Sequence, residues 1–202
     1  MVTEVDELDL ARAQEYSLLS ALLARSPDAE FLGRLAQLRG DDSALGRAHA
    51  ALAQAAARTD ASSVAQEYFS LFVGLGRGEL LPYASYYLTG SMHALPLANL
   101  RAALIRLGIE RAEGQSEPED HVAILFEIMA KLASGAIAAR AGADRDFFDA
   151  HLTPWIAKLF RDLEQAGSAD FYAAVGKLGG VFVEIERQAF LLVKAPSPDV
   201  AG

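Results

Sequence analysis

Side chains able to carry acid–base or nucleophilic chemistry gather in two places: Ser85, inside a tyrosine-rich stretch, and the block 117–121, Glu-Pro-Glu-Asp-His. Asp120 beside His121 has the composition of an acid–base pair, and Ser85 would complete a Ser-His-Asp set. Neighbouring helical side chains diverge by about 100°, which places Asp120 badly for orienting the imidazole of His121. The Gly-x-Ser-x-Gly elbow that exposes a hydrolase serine is absent. A metal would need several ligands at helical spacing. His49, His93, His121 and His151 are scattered, no His-Glu-x-x-His or Glu-x-x-His pair occurs, and the chain has no cysteine. The run Gly74-Leu75-Gly76-Arg77-Gly78 lacks the lysine and spacing of a phosphate loop. The expectation is a protein that is not an enzyme, with no metal and no cofactor. The alternative is a helical enzyme or small-ligand-binding protein using Asp120 and His121 as an acid–base pair.

The same residues suit recognition. Glu117, Glu119 and Asp120 either cap a helix, each gaining about 0.3–1 kcal/mol from its dipole, or form an acidic rim together with Glu127. The stretch 67–87, EYFSLFVGLGRGELLPYASYY, concentrates Tyr68, Phe69, Phe72, Tyr83, Tyr86 and Tyr87 around Gly74, Gly76, Gly78 and Pro82. Turns are normally built of small polar residues, so rings here either plug a core or line a groove. A ring-lined groove with acidic groups at its edge fits a peptide whose apolar segment is flanked by arginine. Carboxylates pair with guanidinium in strong geometry, and aromatic faces add cation–π attraction.

Composition bounds these readings. The 202 residues are 52% hydrophobic and 22% charged, with a net charge of −9. That is enough chain for a core without staples, and the acidic balance argues against nucleic acid, which selects basic surfaces. The first residues, MVTEVDELDL, have no basic region followed by an apolar run, and no apolar stretch reaches the roughly 20 residues of a membrane span. A cytoplasmic protein with no membrane insertion is expected.

The elements that must hold the two blocks read as helices throughout. Helical periodicity marks 9–24, stopped by Pro27; 28–40, capped by Asp28; an alanine-rich segment capped by Asp42; and a fourth helix opened by Ser62. Beyond the break, helices are expected over 96–107, ended by Gly108, and after a Ser116/Glu119 capping box, ended by Gly135. A long helix from Asp144 should kink or break near Thr153, because Pro154 lies inside it. The last spans 168–193, with Val175, Leu178, Phe182, Ile185 and Leu192 on its apolar stripe and Gly176, Gly179 and Gly180 leaving one face bare for a close partner. No strand pattern is found. The expected architecture is all-α: one globular bundle of about eight to ten helices over 1–195, interrupted by the aromatic break at 73–92, with a flexible tail at 196–202.

Three blocks then carry a resemblance: Glu67-Tyr68-x-x-Leu71-Phe72-x-Gly74, Leu81-Pro82-Tyr83-x-Ser85-x-Tyr87, and Glu117-Pro118-x-Asp120-His121. Their pattern and separation resemble the TorD/DmsD family, cytoplasmic chaperones for molybdenum-containing redox enzymes exported by the twin-arginine pathway. The resemblance implies binding of the twin-arginine signal peptide and of the immature enzyme, which is held until its molybdopterin cofactor is inserted. The peptide-binding residues it implies are Tyr68, Leu71, Phe72, Pro82, Tyr83, Ser85, Tyr87, Asp120 and His121. Leu71 and Phe72 serve equally well as core. Tyr68 and Tyr83 stand where some members have tryptophan. A narrower alternative is a chaperone whose client lacks an exported leader, as in the related nitrate-reductase assembly branch; the intact Glu-Pro-x-Asp-His block favours leader binding. Monomer and homodimer are both compatible with these features.

Overall fold

Capping side chains and chain-breaking residues cut the sequence into ten α-helices, with no strand among the described residues. The computed structural model describes residues 6–92, 94–111, 114 and 117–194. The order is α1 (Glu7–Ala24), α2 (Ala29–Leu35), α3 (Ala44–Ala57) and α4 (Ala61–Tyr68), which runs into a π-helical turn, Phe69–Val73. There follow α5 (Ala84–Thr89), α6 (Leu95–Arg106), α7 (Val122–Ala133), α8 (Ala143–His151), α9 (Ile156–Glu164) and α10 (Phe171–Lys194). Ser116, His93 and the expected tail at 196–202 lie outside the described residues.

The core forms where α1 meets α7 and α10. Tyr16 of α1 is fully buried, its ring edge-on to Phe126 of α7 at 5.2 Å and to Phe182 of α10 at 4.7 Å. Its hydroxyl donates to Glu186 (2.9 Å), which also receives Arg12 (2.8 Å), while Arg12 reaches Asp144 of α8 (2.9 Å). A buried carboxylate is tolerated only when paired and hydrogen-bonded, and this network supplies both. Nothing in the periodicity singles out Glu186. α10 turns Glu186 and Phe190 inward, so Ile185 and Leu192, expected on the apolar stripe, are 41% and 78% exposed. The glycine face does meet a close partner: a Cβ on Gly179 would fall 2.1 Å from the Phe160 ring of α9, and one on Gly176 would fall 2.6 Å from the Glu164 nitrogen.

Several helix ends differ from expectation, each for a local reason. α2 stops at Leu35, where the chain tightens into i→i+3 turns (Leu38 N–H to Leu35 C=O, 3.0 Å). Gly40 is therefore not a cap; it lets the loop press against Gly46 of α3. Ser43, not Asp42, caps α3 by accepting from Gly46 N–H (2.9 Å), and Asp60, not Ser62, caps α4 by accepting from Ser63 N–H (2.9 Å). The break expected near Thr153 is present: α8 ends at His151 and α9 begins at Ile156, because Pro154 cannot continue the hydrogen-bond ladder. Most consequential, α7 begins at Val122 with His121 as its cap, so the block 117–121 precedes the helix and Glu119 lies outside its first turn.

Candidate functional site

The first half of the aromatic break is a π-helical turn. Gly74 donates to the Phe69 carbonyl (2.7 Å), five residues back, and the extra residue in the turn rotates the chain beyond it. Leu71 faces the core and is fully buried, while Phe72 is half-buried. The chain then doubles back, with Glu79 N–H donating to Ser70 (3.1 Å) and Leu80 N–H to Leu71 (2.8 Å). Gly78 is required for this close approach, since a Cβ there would fall 2.6 Å from the Leu71 carbonyl oxygen. Tyr68 and Phe72 pack at 5.0 Å, both against Tyr172 of α10, forming a ring floor. The Tyr68 hydroxyl is anchored on the Leu23 carbonyl (3.3 Å) and that of Tyr172 on Leu22 (3.0 Å).

Glu67, the first residue of the resemblance, has a long-range role. Its carboxylate accepts from the backbone N–H groups of Asp170 (2.8 Å), Phe171 (3.1 Å) and Tyr172 (2.6 Å), capping α10. Glu79 accepts from Gly167 (2.7 Å) and Ser168 (3.1 Å) in the adjacent loop. Residues 67 and 79, on either side of the π-helical turn and the glycine run, are thereby fastened to the start of α10.

The second half of the break pairs with the 117–121 block. Ala84 N–H donates to Asp120 C=O (3.0 Å) and Val122 N–H to Pro82 C=O (2.9 Å), an antiparallel bridge centred on Tyr83 and His121. Asp120 is 1% exposed, and its Oδ2 accepts from Ser85 N–H (2.8 Å), capping α5 across the bridge. Ser85 is fully buried, and neither its Oγ nor Asp120 Oδ1 has a hydrogen-bond partner among the described residues. His121 caps α7, its Nδ1 accepting from Ala123 N–H (3.2 Å). That bond fixes the proton of a neutral ring on Nε2. Burial lowers the His121 pKa, opposed by the charges of Glu117 and Asp120. Asp120 and His121 share no hydrogen bond with each other: Asp120 turns to Ser85 and His121 to Ala123.

Around this bridge the rings present a surface. Tyr83 is half-buried, packs edge-on to His121 at 5.1 Å, and donates its hydroxyl to Glu117, whose side chain is exposed. Burial and then the Glu117 hydrogen bond raise the Tyr83 pKa, and the charges of Glu117 and Asp120 and the nearby Tyr68 act in the same direction. Burial also raises that of Tyr68, with Glu117 adding to it. Tyr68, Phe72, Tyr83, Glu117, Asp120 and His121 thus form one neighbourhood. Tyr87 turns the other way, onto Trp155 at 5.4 Å, and donates to Asp162 of α9 (3.1 Å). Glu119 and Glu127 do not join Glu117. They line a groove of about 440 Å³ between α6 and α7, where Glu119 pairs with Arg101 (2.8 Å) and Glu127 with Lys131 (2.6 Å).

This is an all-α protein whose most distinctive described surface is a set of half-buried rings around a braced turn. The family profile described as nitrate reductase delta subunit matches residues 38–161, more than half of the chain. The chain belongs to this family, in its TorD-like branch of redox-enzyme maturation chaperones. Among its relatives is the chaperone protein TorD of Vibrio cholerae serotype O1 (strain M66-2), 28% identical over 93% of this chain and 95% of that one. The chaperone protein TorD of Shewanella loihica is 27% identical over 89% and 92%, and that of Escherichia coli K12 is 26% identical over 86% and 93%. The fold is also that of a solved structure from Archaeoglobus fulgidus described as a redox enzyme maturation protein, with a TM-score of 0.57 and 22% identity over 86% of this chain and 93% of that one.

Proposed function

We propose that the protein binds the twin-arginine signal peptide and the immature form of a molybdopterin-containing oxidoreductase. It holds the client in the cytoplasm until cofactor insertion and folding precede export. The observation that carries this reading is the single neighbourhood of half-buried rings and an exposed carboxylate: Tyr68, Phe72 and Tyr83 beside Glu117. The ring faces take the apolar part of the leader. Each buried Leu or Phe side chain contributes about 1.5–3 kcal/mol, so a few such contacts support micromolar binding.

The roles within the site divide by exposure. Glu117 is the carboxylate placed to meet an incoming guanidinium, with Tyr83 orienting it. Asp120, Ser85 and Pro82 are enclosed and act by holding the bridge that presents Tyr83, while His121 supports the Tyr83 ring from below. Leu71 supports the floor from the core, and Tyr87 ties the site to α9. Glu119 and Glu127, already paired with Arg101 and Lys131, form a separate acidic edge for the client's body.

The test is calorimetric titration with synthetic leader peptides, native and with both arginines replaced by alanine. Micromolar binding that weakens on the replacement supports the reading. Binding indifferent to the arginines keeps the ring floor and removes Glu117 from the site. No binding of any leader to folded protein overturns leader recognition and moves the search to the client's mature domain.

A further inference from the structure

One aromatic of the break stands apart from the Tyr83 neighbourhood. Tyr86 sits on α5 three residues beyond Tyr83, its ring edge-on to Tyr87 at 6.3 Å. Its ring carries the guanidinium of Arg77, with the guanidinium carbon 5.1 Å from the ring centroid, and an Arg77 Nη2–H donates to the Tyr86 hydroxyl. In a chain of net charge −9, Arg77 has no carboxylate within 4.0 Å among the described residues and rests on the phenol instead.

The turn that carries Arg77 is rich in glycine. Gly74 and Gly76 have φ of +65° and +94°, the left-handed region that side chains other than glycine rarely adopt. A Cβ on Gly76 would meet nothing within 4 Å, so conformation rather than space requires glycine there. Leu75, between them, is 98% exposed. Gly78, just after Arg77, is clamped against Leu71 and Phe72. The backbone is held on both sides of Arg77, since a Cβ on Gly74 would fall 2.1 Å from the Arg77 carbonyl oxygen, but the Arg77 side chain is exposed and can swing off the ring by its own rotation without disturbing the floor beneath.

We infer that Tyr86 is a guanidinium-binding platform of the leader site, and that Arg77 occupies it in the free protein as an internal stand-in for an arginine of the peptide. The inference rests on the leader-binding reading and deepens it by naming where an arginine lands. Exchange of one guanidinium for another over the same ring costs little, because the outgoing cation regains water while the incoming one takes over the same face and the same hydroxyl. A leader lysine lacks the planar group that stacks and reaches the hydroxyl together. The platform therefore selects arginine and imposes a modest internal competition.

The experiment follows the ring signal of Tyr86 by NMR, assigned through Tyr86→Phe, in wild type and in Arg77→Gln. Each is titrated with a leader peptide carrying two arginines and, separately, with acetyl-arginine amide. Both ligands are expected to move the Tyr86 signal, and Arg77→Gln is expected to respond at about two- to fivefold lower concentration, the gain from removing an exposed cation–π contact. A leader with both arginines changed to lysine should show no such difference between the two proteins. If acetyl-arginine amide moves Tyr86 but no leader binds, the platform stands and the leader reading falls. If the leader binds without moving Tyr86, the leader reading stands and the platform is overturned. Identical titrations of wild type and Arg77→Gln overturn the stand-in role of Arg77.

Discussion

Replacing Asp120 separates two ways an acid can serve a binding site. Its carboxylate is 1% exposed and accepts from Ser85 N–H at 2.8 Å, while its carbonyl accepts from Ala84 N–H at 3.0 Å. Asp120→Ala keeps the carbonyl contact and removes the side-chain one, leaving a buried N–H without its partner. A hydrogen bond to a charged group contributes about 1.5–3 kcal/mol, and loss of a helix cap costs about 0.5–2 kcal/mol. Both figures describe the same bond, so a loss of about 2 kcal/mol is expected. For a domain of this size each kcal/mol lowers Tm by about 2–4 °C, which puts Asp120→Ala about 4–8 °C below wild type by scanning calorimetry. Asp120→Asn retains an acceptor for Ser85 and should lose less than about 1 kcal/mol. Leader binding should survive in Asp120→Asn, because the charge faces the chain's own backbone. An unchanged Tm in Asp120→Ala would refute the capping argument. Abolished binding in a thermally normal Asp120→Asn would return Asp120 to direct contact with the leader arginines.

Other perturbations test the same geometry. Gly179→Ala should destabilise by about 1–3 kcal/mol through its clash with the Phe160 ring, whereas Gly180→Ala, whose nearest neighbour would be 3.8 Å away, should stabilise by about 0.5–1 kcal/mol; urea unfolding of the pair reads both signs. Glu67→Ala removes a carboxylate that accepts from three N–H groups at the start of α10, and should cost about 1–2 kcal/mol, visible as faster amide exchange at 170–172. His121 has a pKa lowered by burial, so the unfolded chain takes up its proton first as pH falls. Its contribution is complete above the unfolded value of 6.5 and is lost as pH falls through the folded value. His151, lowered by burial and by Arg106, has the same sign. His49, raised chiefly by its hydrogen bond to Glu15, has the opposite one, with stability present below 6.5 and lost as pH rises. His121→Ser keeps an N-cap acceptor and should flatten the fall of Tm as pH drops below about 6.5.

The helical character of the chain was legible because its causes are local. Asp28 caps α2 by reaching Phe31 N–H, three residues on, Pro154 breaks a helix by its own ring, and Gly108 and Gly135 end helices by adopting positive φ. Each acts within a turn or two of chain, the range a sequence pattern spans. Capping failed where two candidates competed within a turn, as with Asp42 against Ser43, because the backbone's approach angle selects between them. The apolar stripe of α10 misplaced Ile185 and Leu192 because the burial of Glu186 depends on Arg12, 174 positions away.

Residue types and their spacing were enough to establish an acidic, all-helical chain with a ring-rich break and three blocks that mark its family. The roles of the acids in those blocks came only from packing. Glu67 caps a helix about a hundred residues on, Glu119 turns to Arg101, and Asp120 turns inward to Ser85, 35 positions earlier, leaving Glu117 exposed beside Tyr83. A carboxylate bonds to whatever donors surround it once the chain is folded, and those donors come from segments whose separation along the chain carries no pattern. Residue type announces that a charge must find a partner; only the packing of α1, α7 and α10 and the bridge across the break settle which one.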